Sequence, residues 1–184
     1  MDHMILGLLI LRSCSIYELR ERIQAGLNLM YSSSMGSIQA ALKKLLNGGF
    51  ITVQEDAEGK RVRKIYSVTP SGREEFSAWV SSPMDLAAAR CPELGKLYFM
   101  GFSDPASRCS HMEAALDSLR ETHAILSAIV QQGESMDVPD QYEEILHYQL
   151  ASARFGRDLM QFQIRWYTQF LQEEQERISW RKNP

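Results

Sequence analysis

Long apolar runs are missing from this sequence. The longest, Met4 to Leu11, spans eight residues and contains a glycine, well short of the ~18–20 that a membrane-spanning helix needs. Met1-Asp2-His3 supplies neither a basic leader nor a small-residue cleavage site, so no secretory signal and no membrane partner is expected, and the chain is placed in the cytoplasm. Cysteine is scarce. Cys14, Cys91 and Cys109 are odd in number and widely spaced, which excludes a disulfide framework and a CxxC metal clip and fits reduced thiols. The histidines, His3, His111, His123 and His147, match no HExxH or related zinc spacing, and the nucleophile-elbow, phosphate-loop and dinucleotide-binding glycine motifs are all absent. Glu143 and Glu144 lie one helical turn from His147, an arrangement that a surface ion pair explains more simply than catalysis. No catalytic residue, metal or cofactor is assigned, and an enzyme is not expected.

What the chain does have is an uneven distribution of charge. Its net charge is −3, which by itself speaks against a nucleic-acid partner. Residues 1–76, however, hold ten Lys and Arg against eight Asp and Glu, whereas residues 77–184 hold ten against fifteen. A basic working module joined to an acidic one is the reading this asymmetry favours.

The pattern of elements agrees. Residues 4–12 are almost continuously apolar and read as a buried helix. Ser15, with Glu18 three residues on, forms a capping box for a second helix carrying Ile16, Leu19 and Ile23 on one face. Gly26 to Tyr31 form a connection, and Ser32 to Ser34 offer caps for a third helix over about 34–47 with Ile38, Ala41, Leu42 and Leu45 inward. Gly48-Gly49 ends it. Residues 50–55 and 61–68 read as strands joined by a glycine-containing turn, and Thr69-Pro70 opens a helix to about Val80. Ser81-Ser82-Pro83 marks a domain boundary. Beyond it come an apolar-rich segment at 86–102, a long helix from Asp104-Pro105 to about Gln132, a linker from Gly133 to Pro139 and an aromatic-rich helix over about 140–180. The expected fold is mainly α: a winged helix-turn-helix over residues 1–80, then a helical dimerisation arm over 84–184.

Two regions carry the functional expectation. The outer face of the third helix presents Ser33, Gly36, Ser37, Ala40, Lys43, Lys44 and Asn47, and no carboxylate occurs from Met30 to Phe50. Small side chains allow close approach to a major groove, while hydroxyls and ammoniums meet phosphates and base edges. The alternative is a merely solvated face. Lys60-Arg61-Val62-Arg63-Lys64 then places four cations in five residues of the hairpin, with strand alternation setting Arg61 and Arg63 on one side. Such a run is usually a solvated surface; beside the third helix it reads as a phosphate-gripping wing. Ser33, Ser34, Ser37, Gln39, Ala40, Lys43, Lys44, Lys60, Arg61, Arg63 and Lys64 are the expected contacts to double-stranded DNA. In the last helix, Tyr148, Phe155, Phe162, Trp166 and Phe170 recur at helical intervals and are expected to form a dimer interface. Phe162 and Trp166 could in addition wall a ligand pocket.

Gly36 to Leu45 followed by Gly49-Phe50-Ile51, and Lys64 to Gly72, resemble the recognition-helix and wing signatures of the PadR family of transcriptional regulators. The likeness covers residues 4–76 well and extends weakly to Glu93–Phe99 and Ile164–Tyr167. It implies a homodimer on a palindromic operator, commonly a repressor, in some members controlled by a small aromatic ligand. Family members often carry tyrosine where this chain has Gln39, and glycine where it has Ile16. A winged-helix protein-interaction module without DNA binding is the alternative reading, kept open by the acidic C-terminal half.

Overall fold

The computed structural model describes residues 1–24, 34–56, 63–84 and 93–182. The chain divides into two compact units, Met1–Ala88 and Ala89–Pro184. The first holds α1 (Asp2–Leu11), β1 (Cys14–Ser15), α2 (Ile16–Arg22), α3 (Met35–Asn47), β2 (Ile51–Asp56), β3 (Arg63–Val68) and α4 (Pro70–Val80). The second holds α5 (Glu93–Phe99), a 3-10 turn (Met100–Phe102), α6 (Pro105–Glu134) and α7 (Asp140–Lys182).

Local chemistry fixes the element starts. Ser15 Oγ accepts from the Glu18 N–H at 3.3 Å while Glu18 Oε2 accepts from the Ser15 N–H at 2.7 Å, a complete capping box that opens α2. The bonds from Ser15 hold the Glu18 carboxyl below its ordinary range. Ser34, Thr69 and Asp104 each accept a backbone N–H at the start of α3, α4 and α6, with Pro70 and Pro105 in the first turns of the last two. Gly49, at φ +70°, takes the left-handed conformation that closes α3 and turns the chain into β2.

The sheet is antiparallel in the order β1-β3-β2. β1 is an addition to the sequence expectation. It pairs Cys14 with Tyr66 and Ser15 with Ile65, so the residue that caps α2 also pairs in the sheet. Tyr66 and Val68 face the core, which places Arg63, Ile65 and Ser67 on the opposite face of β3. One continuous core fills this unit: Ile5, Leu6 and Leu9 of α1, Leu19 and Ile23 at α2, Ile38, Leu42 and Leu45 of α3, and Ile51 of β2.

The second unit is built on two long helices. Met112 and Leu116 of α6 meet Leu171 of α7. Arg108 Nε donates to Glu174 Oε1 at 2.8 Å and its Nη1 to the Ser103 carbonyl at 2.7 Å, while Arg177 Nη2 donates to Glu174 Oε1 at 2.6 Å. Glu174 is buried. The Arg177 hydrogen bond, assisted by both guanidinium charges, outweighs burial and holds its carboxyl below the ordinary range. Gly133, expected in the linker, instead lies within α6, buried where a Cβ would strike Leu150. Its smallness there serves helix packing rather than chain reversal.

Candidate nucleic-acid interface

The buried row Ile38, Ala41, Leu42 and Leu45 fixes which side of α3 faces outward. At 100° per residue the outermost stripe is Gly36, Ala40, Lys43 and Asn47, and all four are exposed. Among the described residues, no atom lies within 4 Å of where a Cβ at Gly36 would stand. None of them therefore requires a glycine there, and its effect is to leave the outer surface of the first turn flat.

The remaining expected contacts occupy the flanks. Ser34 is exposed and caps the helix; Ser37 is half-buried, and its hydroxyl donates to the Ser34 carbonyl at 2.8 Å. Gln39 is exposed on one flank. Lys44 lies on the other, toward α1, where its ammonium meets Asp2 Oδ2 at 2.6 Å. That contact raises the ammonium's pKa, with Glu75 adding a smaller contribution in the same direction. Beside it, His3 bonds Glu75 at 3.0 Å and stacks on Trp79 with ring centroids 5.0 Å apart. Lys44 thus serves to tie α3 to α1, a role the sequence reading did not contain.

Arg63 and Lys64 are exposed at the start of β3, in register with Asp56 and Glu55 of β2. Opposite charges across a strand pair support the hairpin, so the charge of Lys64 is balanced by Glu55 at the base of the wing. Ser33, Lys60 and Arg61 lie outside the described residues. One exposed group went unread in the sequence: Tyr17, near the start of α2, is 69% exposed. In a helix-turn-helix this helix crosses the DNA backbone. A tyrosine on an amphipathic helix reads as half-buried packing until the core face is known.

In the second unit Tyr148, Phe155, Phe162 and Trp166 are exposed, and Leu159 joins them. Successive gaps of seven, four, three and four residues put these five on one face of α7, opposite the face that carries Leu150 and Leu171 into the unit. Phe170 differs: it packs against the Met112, Leu116 and Leu171 cluster and stacks on Trp166 at 5.2 Å. Among the described residues, a cavity of about 900 Å³ opens between α5, α6 and α7 and is lined by Gln163 and Tyr167, not by Phe162 or Trp166. No helix among the described residues is long and apolar enough to cross a membrane.

The three-stranded sheet, the capped α2 and the outward α3 define the first unit as a winged helix-turn-helix. Residues 5–78 match the transcriptional regulator PadR-like family. The N-terminal unit thus carries the domain of the PadR-like family, whose members are transcriptional regulators rather than enzymes. The negative transcriptional regulator PadR of Bacillus subtilis is 28% identical over 98% of this chain and 92% of its own. The crystal structure of Bacillus subtilis PadR with operator DNA superposes at a TM-score of 0.72, 22% identical, covering 94% of this chain and 98% of that one. The same protein with p-coumaric acid superposes at 0.66, 19% identical, covering 95% and 98%.

Proposed function

We propose that this chain is a cytoplasmic, sequence-specific DNA-binding repressor that acts as a homodimer on a palindromic operator. The observation that carries the reading is the outer stripe of α3, in which Gly36, Ala40, Lys43 and Asn47 are all exposed and no carboxylate intervenes. Small residues at the helix start let the backbone approach base edges, and Lys43 and Asn47 supply donors farther along. Arg63 and Lys64, with Lys60 and Arg61 of the same run, grip phosphate, and Tyr17 adds a hydroxyl from α2. The exposed face of α7 pairs two copies, holding their recognition helices about one helical turn of DNA, ~34 Å, apart. Repression is supported by the negative regulator it resembles, and control by a small aromatic ligand by the relative that binds p-coumaric acid.

Fluorescence anisotropy of the full-length protein on the DNA upstream of its own gene tests this. Lys43→Glu is expected to abolish specific binding with the circular dichroism unchanged. Unaltered affinity in that variant would remove α3 from the groove.

A further inference from the structure

We propose that Asp2 is a positioning residue of the DNA-binding surface: it holds the Lys44 ammonium off the phosphate backbone, so that α3 grips DNA through its outer stripe and not through its α1 flank. The proposal rests on the reading of α3 as the recognition helix, and adds to it which of that helix's cations is withheld from DNA.

Helix geometry puts Lys44 where phosphate contacts are made. At 100° per residue it lies roughly 70° round from the middle of the Gly36, Ala40, Lys43 and Asn47 stripe, and Gln39 lies as far round on the other side. A helix about 10–12 Å across fills a major groove about 12 Å wide, so its two flanks stand against the two strand backbones. A cation on a flank meets phosphate there unless a nearer anion takes it.

Tertiary structure supplies that anion. No carboxylate occurs in the sequence from Met30 to Phe50, yet folding brings two to this flank, Asp2 from α1 and Glu75 from α4, which with Lys44 line one small cavity. Asp2 Oδ2 stands 2.6 Å from the Lys44 ammonium, and the two partners differ in freedom: the lysine side chain is 77% exposed, the aspartate 26%. Asp2 lies in the first turn of α1, where the helix N-terminus favours a carboxylate, and Ile5 and Leu6 of the same helix are fully buried in the core. The acid is therefore fixed and the lysine reaches to it. Glu75 is held in turn, with His3 Nε2 3.0 Å from its Oε1. A phosphate drawn to Lys44 would meet two carboxylates anchored beside it.

The pair matters for where it puts a charge more than for stability. An exposed ion pair adds little to a fold, and the buried row of Ile38, Ala41, Leu42 and Leu45 already seats α3. Each phosphate neutralised by a lysine, however, releases counterions and adds about 0.9 to the slope of log K against log salt. Withholding Lys44 removes one such sequence-independent contact from every duplex alike, which leaves the base-edge contacts of the outer stripe a larger share of the binding.

The sign of the effect separates this role from a merely structural one. Asp2→Asn and Lys44→Gln break the same ion pair, so a structural tie would make the two variants behave alike. Fluorescence anisotropy of the full-length protein over a range of salt concentrations, on its upstream DNA and on a random duplex of equal length, reads the difference. Asp2→Asn should bind both duplexes more tightly, with a slope steeper by about 0.9. Lys44→Gln should keep the wild-type slope, and the double variant Asp2→Asn/Lys44→Gln should return to it, with circular dichroism unchanged throughout. An Asp2→Asn slope equal to or shallower than that of the wild type, a gain that persists in the double variant, or a loss of about 0.9 in Lys44→Gln overturns the proposal. A wild-type chain that prefers its upstream DNA while Asp2→Asn leaves the slope unmoved refutes the masking role alone. One that prefers no sequence, yet gains slope in Asp2→Asn on either duplex, refutes the operator reading alone, and a chain that binds neither duplex refutes both.

Discussion

The two units of this chain treat apolar surface in opposite ways. Among the described residues, the N-terminal unit buries eleven apolar side chains and leaves six large ones exposed, whereas the C-terminal unit buries six and exposes fourteen. The first closes on its own core. The second is two long helices that touch along one face each and present the rest outward. Burial of apolar area is the main source of stability, so the first unit is equipped to fold alone. The five-residue apolar face of α7 calls for a partner surface, and a second copy of α7 is the one the proposed dimer supplies.

The largest expected effect tests self-sufficiency. Leu6 is fully buried at the centre of the N-terminal core, and Leu6→Ala should cost about 2–5 kcal/mol. Calorimetry should show the transition of that unit lowered and the other unmoved. A single merged transition shifting as one would break the comparison.

Glu174 comes next. Replacing it with Gln leaves Arg108, whose side chain is only 11% exposed, without a counter-charge, at a cost of about 3 kcal/mol to the C-terminal unit. Because its partners depress the Glu174 pKa, the stability it contributes is present above the ordinary glutamate range and is lost as pH falls through the lowered value. Acid titration of the wild-type chain should therefore destabilise the C-terminal unit more steeply than it does Glu174→Gln. Parallel titration curves would contradict this.

Phe155 sharpens the contrast. It is 70% exposed, so Phe155→Ala should barely alter the helical content of a chain dilute enough to be monomeric. It should nevertheless weaken dimerisation by about 1.5–3 kcal/mol, read by sedimentation. An unchanged association constant would take α7 out of the interface.

The smallest effect has a sign of its own. Gly36→Ala should stabilise the N-terminal unit by about 0.5–1 kcal/mol, since alanine is the better helix former and has open space at that position. It should weaken operator binding through the added methyl group. Stabilisation without loss of affinity would show that the flat outer turn of α3 does not approach DNA.

What was legible in the sequence was local. The Ser15 and Glu18 capping box, the Thr69-Pro70 and Asp104-Pro105 helix starts and the inward row of α3 each depend on residues within a few positions of one another, and the structure reproduces them. What escaped depends on distant pairing. β1 is two residues long, too short for any periodicity, and exists through its pairing with β3. Lys44 reads as a groove-facing cation until α1 brings Asp2 beside it. Gly133 looks like a linker residue until Leu150, seventeen positions on, occupies the space its missing side chain leaves. Phe170 shares the spacing of the exposed aromatics, yet it sits nearer the α6 side of the helix and packs inward. The cavity was beyond reach because its wall residues come from three helices and follow no single period.

The central claim is that paired winged domains read two half-sites of one operator. Hydroxyl-radical footprinting of the full-length protein on its upstream DNA tests it most directly. Two protected patches related by a two-fold axis, on one face of the duplex and about one helical turn apart, are the predicted result, with both patches lost together in Phe155→Ala at concentrations where that variant is monomeric. A single unpaired patch, or two patches that persist in the monomeric variant, would contradict the account.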